Sequence, residues 1–508
     1  MSRTCNVALS ALFSLSDCVY QPPILTAEAV GADPWVAGDT SGPSDPRGED
    51  SGTDPWIHSD GHSATGDDTS SDGGDSPAAG DGVEASDPGV PVCPGTTEWC
   101  VDRCVDRMTD PAACGGCTTV CTDAWTCVAE LCRDPTSHWS AVIQEAIDSS
   151  AGAGGFDLAS DGVVGLFTYV PQGSLLPATY SGSDTGWSVG PSFPTAGFDS
   201  ASPLVAAAVQ GGAPWVATYA GPNASPRYLH VLTYTAGGWL EVGAPGSPLA
   251  CSGPDFMKLV VDLDRPHVTS HGAGGCGIGV DYRTFDGSNW IAHLGVMNAG
   301  QITTSAAGTP GLATVSGVGI VGVPESISGP PNTVTHTVRK WVGSTWHPVA
   351  DNLDAGVHDT NMGAAESMSM SMAADGALCV AWSENRGGAS AGRDVRVKCL
   401  AQGATQWTSV GASTINEGGD AADPSLAFFA NTLWVAYVAK TSGGDDRVYV
   451  RCFNAPTNAW LQIGAAVNVA FAGEANHPLV IGLAGLPSVA WSQAVSSGGL
   501  AVVLCTFP

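Results

Sequence analysis

A tryptophan that returns at a nearly fixed interval constrains this chain more than any other feature. It stands at Trp187, Trp239, Trp290, Trp346, Trp407 and Trp460, with separations of 52, 51, 56, 61 and 53 residues. Each follows a short turn. Upstream lies a β-rich string, as in Val216-Ala217-Thr218-Tyr219, Val380-Ala381-Trp382-Ser383, Val435-Ala436-Tyr437-Val438 and Val489-Ala490-Trp491-Ser492. Before that comes a strand of small residues opening on proline, such as Pro203-Leu204, Pro424-Ser425 or Pro478-Leu479. Between string and tryptophan lies an alternating strand, Val395 to Cys399 or Val448 to Cys452. Each unit therefore offers four short strands, a to d, separated by Gly, Asn and Asp turns. Four strands in about 50 residues, repeated, indicate the blades of an all-β propeller. The repeating indoles are expected to anchor strand d, each contributing a few kcal/mol through burial, on the order of 2–3.

The ends of the repeat region, 136–508, support a closed ring. The last unit has strands a, b and c and stops at Pro508 without its tryptophan strand, while Ser137-His138-Trp139-Ser140-Ala141-Val142 matches Gln406-Trp407-Thr408-Ser409-Val410 and begins the region. An amino-terminal strand d that completes the carboxy-terminal blade closes the ring and removes two sheet edges. The expected count is seven blades, with six or eight as the alternatives because units one, three and four are degenerate.

Residues 1–18 read as an export signal: Arg3 precedes the apolar run Val7 to Leu15, too short to span a bilayer. Leu15-Ser16-Asp17-Cys18 resembles the lipobox of bacterial lipoproteins, in which the cysteine is acylated, although Asp17 replaces the usual small residue. The resemblance implies an outer-membrane or cell-surface lipoprotein, or an extracellular protein, touching membrane only through its lipid. Residues 19–92 hold fifteen Asp and Glu against the single Arg47, among Gly, Ser, Thr and Pro. Such a stretch buries too little apolar surface to offset ordering entropy and is expected to be a disordered, acidic tether. Its Asp-Gly run can screen calcium weakly, but the spaced ligand loop of a built calcium site is missing.

Eight cysteines follow within 93–135: Cys93, Cys100, Cys104, Cys114, Cys117, Cys121, Cys127 and Cys132. In an exported chain, with no histidine among them, they read as disulfides stapling a small module and not as zinc ligands. The run Asp110-Pro111-Ala112-Ala113-Cys114-Gly115-Gly116-Cys117 with Cys104, Cys121, Cys127 and Cys132 resembles the Cys-rich module of stigma-specific plant proteins, which recurs in bacterial surface lipoproteins. Ala113 and Thr118 depart from that pattern. The resemblance implies extracellular placement without an activity. Within the propeller, Cys379 and Cys399 fall on neighbouring strands b and c and are placed to pair. Blade geometry leaves open whether Cys251 with Cys276, and Cys452 with Cys505, form further bridges or stay buried thiols.

Composition bounds the partners. Asp and Glu number 49 against 18 Lys and Arg, a formal charge of −31 that opposes binding to nucleic acid. Met368, Met370 and Met372 alternate with serines and are expected to pack between blades. His267 and His271 lie about 13 Å apart on an extended strand, too far to share a metal. Sialidases resemble this topology, but their Asp box places tryptophan five residues after aspartate, whereas Asp184 to Trp187 and Asp286 to Trp290 are shorter. No nucleophile elbow, zinc-helix or Walker motif occurs, so no catalytic residue, metal or cofactor is assigned. Function is sought instead on the face where the d to a and b to c connections emerge. Glu384, Arg386, Asp445, Arg447 and His477, from blades five, six and seven, are the candidate binding residues. The reading is a monomeric, non-catalytic binding or adhesion protein for an extracellular polysaccharide or protein, the alternative being a secreted carbohydrate-active hydrolase. Mass spectrometry of membrane-extracted protein is expected to find acylated Cys18 and no free thiol within 93–132; one zinc per module overturns the disulfide expectation.

Overall fold

The computed structural model describes 98–100, 103–105, 114, 117, 126–128, 131–133 and, with breaks at several loops, 139–507. The expectations for the export signal, Cys18, the acidic tether, Cys93, Cys121, Cys251, Cys276 and Arg386 lie outside these residues. Within the cysteine-rich stretch, Glu98–Cys100 pairs with Arg103–Val105, and Thr126–Val128 with Leu131–Arg133. Disulfides join Cys100 to Cys117 and Cys114 to Cys127, and Cys104 is also disulfide-bonded. Bridges of this kind replace the apolar core that so few residues cannot assemble.

The repeat region is an all-β, seven-bladed propeller. Its innermost strands a are Phe156–Ser160, Ala201–Gln210, Phe256–Asp262, Gly311–Val315, Ala365–Met372, Ala421–Phe429 and Ala475–Leu483, in blades one to seven. Each is followed outward by antiparallel strands b, c and d. The units that look degenerate in sequence, one, three and four, are complete four-stranded sheets. Blade seven takes a, b and c from the carboxy terminus and d from Ser140–Ile147, which pairs with Leu500–Thr506 from Leu500 against Ile147 to Thr506 against Ser140. Ile143 and Ile147 on this closing strand are buried against Phe156, Phe167 and Tyr169 of blade one.

The repeated tryptophan does more than fill space. In four blades its indole N–H donates to a carbonyl just past strand d of the preceding blade: Trp239 to Pro191, Trp290 to Val242, Trp460 to Val410 and Trp139 to Ile463, at 3.4, 3.0, 3.0 and 3.3 Å. The bond from Trp139 joins blade seven to blade six. Next to three of these acceptors stand Gly243, Gly411 and Gly464, all at positive φ. A Cβ on Gly411 would sit 2.8 Å from the Trp460 ring, so glycine there serves both the left-handed backbone and the close approach of the indole.

Strand b is buried on both faces because neighbouring blades cover it. In blade six, Thr432–Lys440 is buried at all but its last residue. Trp382 and Trp491 on the equivalent strands are fully enclosed. Each enclosed indole N–H finds a side chain two residues on: Glu384 at 2.8 Å in blade five, Gln493 at 2.9 Å in blade seven. This satisfies a donor that burial would otherwise leave unpaired.

Strand a of blade five explains the Ser-Met alternation. Met368 and Met370 pack toward blade four, where a Cβ on Gly322 or Gly311 would collide with them. The serines on the opposite face accept backbone N–H groups of blade six, Ser369 from Leu426 at 3.0 Å and Ser371 from Phe428 at 3.2 Å. Cys379 and Cys399 are register partners and form a disulfide. Cys452 and Cys505 are free and buried. On strand c Cys452 matches the position of Cys399 and Cys505 that of Lys398, and they face Trp434 and Val489 across the ladder instead of a second cysteine. Burial pushes both thiols up to about 12.

Deleting 136–148 removes the closing strand and exposes the outer edge of Leu500–Thr506. Cooperative thermal unfolding is expected to be lost, while deleting 19–92 leaves the transition unchanged; an undiminished melt in the first deletion disproves the closure.

Candidate functional site

Seven strands a leave a central channel of about 590 Å³, walled by residues of every blade. Because blades are antiparallel meanders, the starts of strands a share one face with the d to a and b to c connections, and their ends share the other with the a to b turns. The small-residue strands a read from the sequence suggest a lining of Ala, Gly, Ser and Met in place of carboxylates, but Asp157, Asp161 and Asp423 line the channel, together with Lys258 and His477.

Asp157 is buried at 4% exposure. Its Oδ1 lies 3.1 Å from Lys258 Nζ, and its Oδ2 accepts the Ala207 N–H at 2.9 Å. The ion pair thus reaches from blade three to blade one past blade two. A carboxylate so placed is held by charge and hydrogen bond together, which burial requires. At the far end, Asp161 accepts the N–H groups of Val163, Val164 and Gly212 at 3.0, 2.9 and 2.7 Å. It caps its own a to b turn and ties it to that of blade two.

The opposite mouth is built differently. Strands a of blades five, six and seven each carry a register shift near their start, between Ala365 and Met368, Ala422 and Ser425, and Asn476 and Leu479. Ser367, Asp423 and His477 sit at these bulges and line the channel. Asp423 and His477 adopt φ of 50° and 52°, a left-handed backbone that non-glycine residues seldom take. Both precede proline. His477 Nδ1 lies 3.2 Å from Asp423 Oδ2, with both side chains partly exposed. Just inside, Ser425 accepts the Val480 N–H at 3.1 Å, repeating the Ser369 and Ser371 arrangement. An accepting hydroxyl keeps its own O–H to donate.

The other residues singled out in the sequence are distributed as follows. Glu384, expected in an exposed connection, is fully buried. Strand b continues to Asn385, which pairs with Arg393 of strand c, so Glu384 falls inside the ladder. There it accepts the Trp382 indole and forms an ion pair with Arg396. Asp445 is exposed at the b to c turn of blade six and bonds Arg447 at 3.2 Å, while Arg447 also donates to the Asn468 carbonyl at 2.9 Å. The structure therefore brings Asp445 to Arg447 and His477 to Asp423, and turns Glu384 away into blade five. Asp423, Asp157, Lys258 and Ser367 were missed. The Asp423-Pro424 and His477-Pro478 pairs, at the same place in two repeats, carried a readable signal. Lys258 and Asp157, 101 residues apart, carried none.

Around the mouth, charges neutralise one another. Arg393 grips Asp420 with Nε and Nη2 at 2.8 and 3.0 Å. That grip holds the Asp420 carboxyl below the usual carboxylate range. Burial raises Asp446, opposed by Lys440 and reinforced by Glu474 and Asp420.

No family model matches this chain, and no curated protein matches it. Solved structures do. A Dyadobacter fermentans protein of unknown function is 13% identical over 73% of this chain and 99% of its own, with a TM-score of 0.38. Trypanosoma rangeli sialidase, in complex with sialic acid, is 10% identical over 73% and 59%, with a TM-score of 0.36. An α-L-arabinofuranosidase from Fusarium graminearum is 10% identical over 59% and 91%, with a TM-score of 0.40. At these identities and TM-scores the likeness assigns neither a family nor an activity to this chain.

Because the folded Asp420 is more acidic than the unfolded one, its pairing stabilises above the unfolded pKa of about 4 and is lost as pH falls through the lower folded value. Replacing Arg393 by Ala is expected to lower stability at pH 7 by under about 1 kcal/mol, given the pair's exposure. The gap between variant and parent narrows as pH falls below the unfolded value of about 4 in urea titrations across pH.

Proposed function

We propose that this chain is a non-catalytic cell-surface or secreted binding protein whose propeller holds an extracellular glycan on the face where the d to a and b to c connections gather. One observation carries the reading. The channel opens on that face through hydroxyl, carboxylate and imidazole groups, while each of its described carboxylates is already engaged. Asp157 is tied to Lys258 and the Ala207 N–H, Asp161 to three N–H groups, and Asp423 to His477. A glycoside hydrolase needs one carboxyl kept protonated and a second free to act as nucleophile or base. Carboxylates neutralised by cations and backbone donors suit recognition better than proton transfer.

In this reading Cys18 carries the lipid and the acidic stretch 19–92 sets the propeller away from the membrane. A coil of that length has an end-to-end distance of about 50 Å, extended further by its own charge. The Cys-rich module then joins tether to ring, and the protein acts as a monomer.

An unbiased glycan array coupled to analysis of new reducing ends tests the proposal. Binding without products is expected. Reducing ends released in proportion to time and protein assign the chain to the hydrolases instead, and binding to protein ligands with no glycan retained overturns the glycan reading.

A further inference from the structure

The channel mouth also says which glycans fit. We infer that Asp423 and His477, with the serine hydroxyls of strands a in blades five and six, form a binding site for a neutral saccharide unit and discriminate against acidic sugars. This rests on the glycan reading above and narrows it.

The argument begins with charge. Among the described residues lining the channel, Lys258 is the one lysine or arginine, against Asp157, Asp161 and Asp423. Its ammonium is bound to Asp157, which has 4% exposure and would be a buried carboxylate without counter-charge if it released it. Among the described lining residues the one ammonium is thus already compensated by a carboxylate, and an acidic sugar finds no uncompensated cation there. At the mouth the imidazole of His477 faces Asp423 at 3.2 Å. An anion arriving there competes with the Asp423 carboxylate for that contact. A neutral polyol meets none of this penalty.

Hydrogen-bond polarity points the same way. Ser369 and Ser425 accept backbone N–H groups of the next blade, which fixes each oxygen and leaves its O–H to donate. Asp423 supplies a charged acceptor, worth more to a sugar hydroxyl than a neutral one. Donors and an acceptor on one wall match a hydroxyl-bearing ring, in which each hydroxyl both gives and takes. Phe256, Pro424 and Pro478 supply apolar lining for its C–H faces. The volume of about 590 Å³ lies in the range of small-ligand sites, about 300–1,000 Å³.

Backbone conformation singles out the same two residues. Asp423 and His477 hold left-handed φ of 50° and 52°, each directly before a proline. Ser367, at the corresponding bulge of blade five, is not among the positive-φ residues. The two blades that carry this strain are those that present an acid and an imidazole to the mouth.

The test uses the full chain and calorimetric titration with two probe sets: neutral gluco-, xylo- and arabino-oligosaccharides, and sialyllactose with oligogalacturonides. Asp423→Asn and His477→Asn are the variants, because asparagine tolerates left-handed backbone and keeps the bulge. Neutral probes are expected to bind, and each variant to weaken them about tenfold or more with an unchanged melting transition. Acidic probes that bind more tightly than neutral ones overturn the inference. So does neutral binding unaltered in both variants, although that leaves the glycan reading standing. Failure of every saccharide in both sets overturns the two together. If a variant melts early, saturation-transfer NMR of the parent protein decides. Sugar protons must then receive saturation from the His477 ring, and signal only from the a to b face overturns the site.

Discussion

Pairing of Ser140–Ile147 with Leu500–Thr506 is the constraint on which the rest of the propeller depends. Every other blade is a local meander whose strands follow one another in sequence. Blade seven alone unites the two ends of the repeat region, so the ring's inter-blade contacts all rely on this one ladder. Trp139 reinforces it from outside by bonding the Ile463 carbonyl of blade six, and Ile143 and Ile147 from inside by packing on blade one. The entropic cost of joining residues over 350 apart is modest, since loop closure grows only with the logarithm of length.

Between blades the molecule uses one rule with several side chains. A polar group on strand a of one blade satisfies a backbone N–H of the next: Asp157 for Ala207, Ser369 for Leu426, Ser425 for Val480. At the far end Asp161 and Asp262 do the same for Gly212 and Gly317. Strands a of adjacent blades splay apart and share no regular ladder, so their inward backbone groups need side-chain partners. Small polar residues near the axis follow from that need. A ligand entering the channel meets hydroxyls already fixed by the fold, at little further ordering cost.

The loop face shows how burial reassigns a residue. Glu384 and Arg386 read as neighbours in one charged connection. Two more residues of strand pairing draw Glu384 into the blade, where it serves an enclosed indole and Arg396. Gln493 does the same for Trp491 in blade seven without a charge, so the demand is for an acceptor at that position. Arg447, by contrast, stays at the rim, shared between Asp445 and a backbone carbonyl.

The sequence by itself determined the repeat and the all-β class, and it pointed to the closure and to seven blades with six or eight left open. Each rests on local periodicity: alternating strands, turn glycines and a tryptophan whose spacing is the step from one blade to the next. It also placed Cys379 opposite Cys399 and the methionines between blades, because strand register is a two-residue rule. Only the tertiary structure decided what faces the axis. The Asp157 to Lys258 pair joins residues two blades apart, and Asp423 meets His477 through bulges that turn one residue of each strand out of the alternating pattern. Such contacts depend on the ring's curvature and on a local break in periodicity, which no regular pattern along the chain encodes.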